Sequence, residues 1–73
     1  MDIRLTGHAS DQLELRGITR VEVERMFDSP DSIDHRRYHV HYDGHVDGRR
    51  LHAVVDQRAG VPPHVITVWD FED

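Results

Sequence analysis

His8, Gln12 and Arg16 stand four residues apart, and on a helix they would fall within about 80° of one another along one edge. A histidine in a first turn feels the positive end of the helix dipole, which favours its neutral, basic form. An arginine two turns on can stabilise charge on a phosphate's equatorial oxygens while the imidazole moves a proton. The same spacing fits a plainer role, with His8 as a local cap and Arg16 as an ordinary last-turn cation.

A second group lies further along. His39 and His41 alternate with apolar residues in Tyr38-His39-Val40-His41-Tyr42-Asp43, and His52 sits in the next such run. Alternate strand residues share a face, so three imidazoles can gather on one side of a sheet. That pattern suits proton transfer, a metal site at His39, His41 and His52, or simply a solvated face built with histidine. Arg36-Arg37 and Arg49-Arg50 flank the first of these runs and its turn. Neighbouring strand side chains diverge, so at most one of each pair serves a given site. Arg37, Arg50 and His41 are the candidates for holding a substrate phosphate. Thr67 could offer a hydroxyl to a phosphate, although β propensity alone explains a strand threonine. Tyr38, Tyr42 and Trp69 could stack on bases, but the core face of the sheet has first claim on the tyrosines.

The elements that must position these residues are readable from caps and periods. Thr6 caps a helix over Gly7–Arg16, with Leu5, Ala9 and Leu13 as its apolar stripe. Gly17 occupies the left-handed position that ends it, and Arg16 suits the negative helix end. Thr19-Arg20-Val21-Glu22 is a capping box opening a second helix over Arg20–Asp28, whose Val23, Met26 and Phe27 form one face. Ser29-Pro30 stops that helix. Residues 1–4 are a lead-in or an edge strand.

From Ile33 the period changes from 3.6 to 2. Two Asp-Gly pairs, at 43–44 and 47–48, could each form a hairpin turn. A turn at Asp47-Gly48 is preferred, because it puts Leu51, Ala53 and Val55 on the side of Tyr38, Val40 and Tyr42. It sets Val46 opposite Arg49, Tyr42 opposite Ala53, Val40 opposite Val55, and His41 beside Val54. It also sets His39 opposite Asp56 and His52 opposite Asp43, two histidine–carboxylate pairs that would raise both imidazole pKa values. Gly44 would then be a bulge or bend within the strand. Residues 58–63 form a loop broken by Gly60 and Pro62-Pro63. His64–Phe71 is a last strand, apolar on both faces, with Thr67 on the side of Val65 and Trp69. These elements predict a single α+β domain over residues 1–73. Two helices would pack on one face of a three-stranded, or at most four-stranded, antiparallel sheet.

Composition narrows the function classes. The 73 residues hold nine arginines, no lysine, fourteen Asp/Glu, seven histidines and a formal net charge of −5. An acidic balance argues against non-specific nucleic-acid binding but permits a local arginine cluster. Without cysteine there are neither disulfides nor thiolate metal ligands. No apolar run approaches the ~20 residues of a membrane span, and no signal peptide is visible, so a cytoplasmic location with no membrane partner is expected. No cofactor is implied. A core this small is marginal, which favours a protein partner or a homodimer.

His8-Ala9, Leu13, Arg16-Gly17-Ile18-Thr19, a Val/Glu-rich helix ending at Ser29-Pro30, Gly48-Arg49-Arg50-Leu51, Ala53-Val54-Val55-Asp56 and Val65-Ile66-Thr67-Val68-Trp69 together resemble a short bacterial family of unknown function. Phe27-Asp28-Ser29-Pro30 with Asp47-Gly48-Arg49 also looks like BrnT-type toxins. Both are similar to the barnase/EndoU/RelE-like group, many members of which are metal-independent ribonucleases and toxins of toxin–antitoxin pairs. The resemblance implies a site lined by His8, Arg16 and Thr67, an attack of a ribose 2′-hydroxyl on the adjacent phosphate, RNA as substrate and an antitoxin as partner. Beside it stand two further readings, a non-enzymatic interaction module and a histidine-rich metal binder.

Overall fold

Thr6 begins the first helix as expected, and it also fastens that helix to the sheet. In the computed structural model, which describes residues 2–71, its hydroxyl accepts from the Ala9 amide at 3.1 Å and donates to the Ile66 carbonyl at 3.1 Å. Helix α1 spans Gly7–Arg16, and Gly17 closes it at φ 65°, a left-handed conformation that costs glycine little. The Ile18 amide turns back to the Leu13 carbonyl at 2.9 Å. Helix α2, Arg20–Asp28, opens on the reciprocal Thr19–Glu22 capping box. Both helices match their predicted bounds.

The sheet is larger than expected. Five strands, β1 (Arg4–Leu5), β2 (Ser32–His35), β3 (His39–Val46), β4 (Arg49–Asp56) and β5 (His64–Phe71), lie in the order β1-β5-β4-β3-β2. The β1–β5 pair is parallel and the others antiparallel. The expected three or four antiparallel strands become a mixed five because two short segments, each too short to show a period, complete the edges. β1 joins only through Arg4 and Leu5, and β2 pairs Ser32–His35 with Val40–Asp43 of β3.

The central hairpin has the predicted register: Val46 faces Arg49, Tyr42 faces Ala53, and His39 faces Asp56. Asp47 at φ 53° and Gly48 at φ 80° make the two-residue turn, whose left-handed residues match the twist of the strands. Gly44 is no bulge. It pairs with Leu51, and a Cβ there would stand 2.8 Å from Cγ of Met26, so glycine lets α2 press onto β3. The irregularity falls elsewhere, where Val54 pairs with Thr67 but Val55 pairs with Val65. Ile66 is therefore the extra residue, and it reverses the expected facing. Val65 and Val68 both enter the core with no exposure, while Thr67 keeps company with Trp69 rather than Val65.

One core lies between helices and sheet. Ala9 and Leu13 of α1, Val23, Met26 and Phe27 of α2, and Leu51, Ala53, Val55, Val65 and Val68 of the sheet form it, with Ile3 and Ile18 closing its ends. Leu5 and Tyr42 pack against it, and the Tyr42 ring lies 4.6 Å from that of Phe27. All of these sheet residues belong to one pleat phase, so both helices cover the same face and the other is left open.

Candidate functional site

The open face carries the residues of the opposite phase: His39, His41 and Asp43 from β3, Arg50, His52 and Val54 from β4, and Trp69 and Phe71 from β5. They form a connected layer. His41 Nδ1 lies 3.1 Å from His52 Nε2, and His52 Nδ1 lies 3.4 Å from Asp43 Oδ2. Arg50 donates twice to the same carboxylate, at 3.0 Å to each oxygen. The His52 ring stacks on Trp69 at 4.3 Å and 28°, and the Arg50 guanidinium sits 4.3 Å over Phe71.

Donor and acceptor counting orders the protons in this chain. A carboxylate only accepts, so His52 presents Nδ1–H to Asp43. In neutral His52 the Nε2 then accepts, His41 donates from Nδ1, and His41 Nε2 is left as a base. The arrangement repeats the logic of a carboxylate that orients one imidazole, extended by a second ring. Electrostatics agree. The hydrogen-bonded Arg50 guanidinium holds the Asp43 carboxyl below its usual range, with His52 adding to it against the opposing effect of burial. Burial lowers the His41 pKa, and the charges of Arg36 and His52 push it the same way.

Of the two expected histidine–carboxylate pairs, the Asp43–His52 contact forms. Asp56 instead turns its Oδ1 to the Arg58 amide at 2.9 Å, capping a short 3₁₀ turn at Gln57–Ala59. At His41, which faces Val54 rather than a carboxylate, partial burial and neighbouring cations outweigh the nearby Asp34 and lower the pKa. Among the described residues, no three His, Cys, Asp or Glu side chains gather as a metal-holding group, so His39, His41 and His52 do not form the expected three-ligand cluster. His39 is exposed beside the chain of contacts rather than in it.

Of the trio His8, Arg16 and Thr67, the first two lie on α1, away from the open face, while Thr67 shares the phase of Val54 and Trp69 and meets α1 at the free edge of β5. Thr67 donates its hydroxyl to Gln12 Oε1, which also accepts from the Val68 amide at 3.1 Å. Gln12 thus closes the strand edge left bare beyond β1. Arg16 pairs with Asp70 at 3.6 Å, and His8 is exposed in the first turn of α1. Two of the three are therefore engaged in holding helix to strand. Arg37 stacks on Tyr38 at the start of β3, and Arg50 and His41 belong to the open-face layer.

Sequence reasoning missed three features. The His41–His52 contact is diagonal across the hairpin, and diagonal pairs come within reach of long side chains, so the predicted register contained it. Phe71 carried no signal beyond its apolar character. Arg49, passed over for Arg50, faces the core side and donates to the Arg16 and Gly17 carbonyls at 2.7 and 3.0 Å and to Asp70 at 2.8 Å. That guanidinium, and secondarily Arg16, holds the Asp70 carboxyl below its usual range.

Fold and site define a small α+β domain with two helices on one face of a five-stranded mixed sheet and a histidine-centred layer on the other. The chain belongs to the family described as Domain of unknown function (DUF4258), whose model matches residues 5–70. Searches of the curated proteins and of the solved structures returned no match. No helix among the described residues is long and apolar enough to cross a membrane.

Proposed function

We propose that this domain is a small RNA endonuclease that works from its open sheet face, with imidazole acid–base chemistry. The observation that carries this reading is the chain Asp43–His52–His41, which leaves one partly buried imidazole oriented as a base beside cations and aromatic rings. In this scheme His41 Nε2 takes the proton of a ribose 2′-hydroxyl as its oxygen bonds to the adjacent phosphorus. The bond from phosphorus to the 5′-oxygen breaks. His39, two residues along the same face and about 7 Å away, gives that oxygen its proton. The products are a 2′,3′-cyclic phosphate and a 5′-hydroxyl. Arg36, whose charge already acts on His41, stabilises the negative charge that builds on the phosphorane. Trp69 and Phe71 offer rings for unpaired bases.

The test is incubation of the purified domain with single-stranded RNA in the presence of a chelator, with the product ends determined chemically. Cyclic phosphate ends are expected, with loss of about 100-fold or more in rate for His41→Ala and near-normal rates for His8→Ala. Loss on His8→Ala or Arg16→Ala with His41→Ala active would move the centre to the seam of α1 and β5. An intact substrate throughout would end the enzymatic reading. A toxin role further predicts that induced expression slows growth and that His41→Ala relieves it. A protein antitoxin in that role would pair with β2, whose four residues are all exposed and whose outer edge is an open template for a strand.

A further inference from the structure

We propose that Arg37, Tyr38 and Arg58 hold a backbone phosphate of single-stranded RNA next to the one at His41, a subsite that rests on the reading above. The three meet at the end of the hairpin opposite its turn, where β3 begins and β4 runs into the Gln57–Ala59 turn. The guanidinium carbons of Arg37 and Arg58 lie 5.1 and 5.0 Å from the centroid of the Tyr38 ring. Two cations are thus gathered on one aromatic ring that is itself 45% exposed. The Gln57 amide donates to the Tyr38 carbonyl at 3.0 Å, and Asp56 caps the turn through the Arg58 amide, so the backbone that carries both arginines is fixed.

Charge singles out this corner. Arg37 makes no ion pair among the described residues, and Arg58 has only Asp56, at 3.6 Å. Arg36 adjoins them, paired with Asp34 at 3.0 Å. Three guanidiniums against two carboxylates reverse the sign of a chain whose net charge is −5, and like charges gathered around one ring favour a nearby anion. A guanidinium fork matches a phosphate's oxygens in pairs, and the exposed ring between them can take the face of a ribose or base. Tyr38 precedes His41 by three residues, about 10 Å along the strand. A strand of RNA that runs on from His41 past the start of β3 reaches this corner with a neighbouring phosphate.

Fluorescence anisotropy with a labelled oligonucleotide carrying 2′-O-methyl groups, which cannot be cleaved, tests the subsite apart from catalysis. The expected result is that affinity rises from dinucleotide to hexanucleotide and that Arg37→Ala and Arg58→Ala each weaken hexanucleotide binding about fivefold or more. Each should also lower the slope of log K against log salt by about one. Arg4→Ala, which removes an exposed cation at the far edge of the sheet, should leave binding unchanged, and melting curves check that every variant folds. The same dependence on Arg37 and Arg58 in a His41→Ala background would uphold the subsite even if no cleavage is found. Unchanged affinity and salt slope in the double variant would overturn it, as would an equal loss on Arg4→Ala or preference for an acidic peptide over the RNA.

Discussion

His41 is the residue on which the proposed chemistry turns, and its position gives it two measurable properties. Its folded-state pKa lies below the ordinary value because burial and the Arg36 and His52 charges disfavour the imidazolium. The unfolded chain therefore binds the proton more readily, and stability is fully present above the unfolded value near 6.5 and declines as pH falls from there through the lower folded value. Denaturant titrations between pH 7.5 and 5 should show this decline, and His41→Gln should flatten it. An unchanged pH slope in the variant would mean that the ring does not sense its neighbours in solution. Under the proposed scheme the cleavage rate should fall on the acid side, as His41 takes up a proton and ceases to be a base.

At the scale of elements, two contacts decide how helices meet the sheet. Gly44 admits α2, since a methyl group would stand 2.8 Å from Met26, which is fully buried. Gly44→Ala should cost about 1–3 kcal/mol of overpacking in equilibrium unfolding, with the secondary structure retained. Arg49 performs the corresponding task for α1, joining its last carbonyls to Asp70 and lying 3.9 Å from Glu22 of α2. Arg49→Ala leaves a mostly covered carboxylate without its main partner, a loss of about 1.5–3 kcal/mol. Asp70→Asn in the same background should recover part of it. Additive losses in that double variant would show that the two residues act independently.

For the whole molecule, histidine content sets the colloidal behaviour. Seven imidazoles set against a net charge of −5 carry the chain toward and past neutrality as pH falls below about 6.5. A solubility minimum in mildly acidic buffer should follow, and constant solubility from pH 7.5 to 5.5 would contradict it. The same acidic balance limits where the proposed RNA substrate could lie. Arg16, Arg20, Arg25 and Arg49 are each paired with carboxylates on or beside the helices, whereas at the corner of Arg36, Arg37 and Arg58 guanidiniums outnumber the paired carboxylates Asp34 and Asp56.

Local chemistry was legible from the residues alone. Thr6, Gly17 and the Thr19–Glu22 box fixed both helices to their observed bounds, because caps act through backbone groups only a few residues away. Two Asp-Gly pairs could make the hairpin turn, and the match of apolar residues across the strands chose Asp47-Gly48, and with it the register and the facing of Asp43 and His52. The edges of the sheet were not legible, because Arg4–Leu5 and Ser32–His35 are too short for a period and become strands only beside an existing one. Nor was the face of Thr67, which depends on a bulge at Ile66. The geometry of the candidate site falls between the two. Alternation put three histidines on one side, but only tertiary packing, with both helices on the far face and Trp69 beneath His52, brought two of them to 3.1 Å and left Arg16 and Thr67 holding helix to strand.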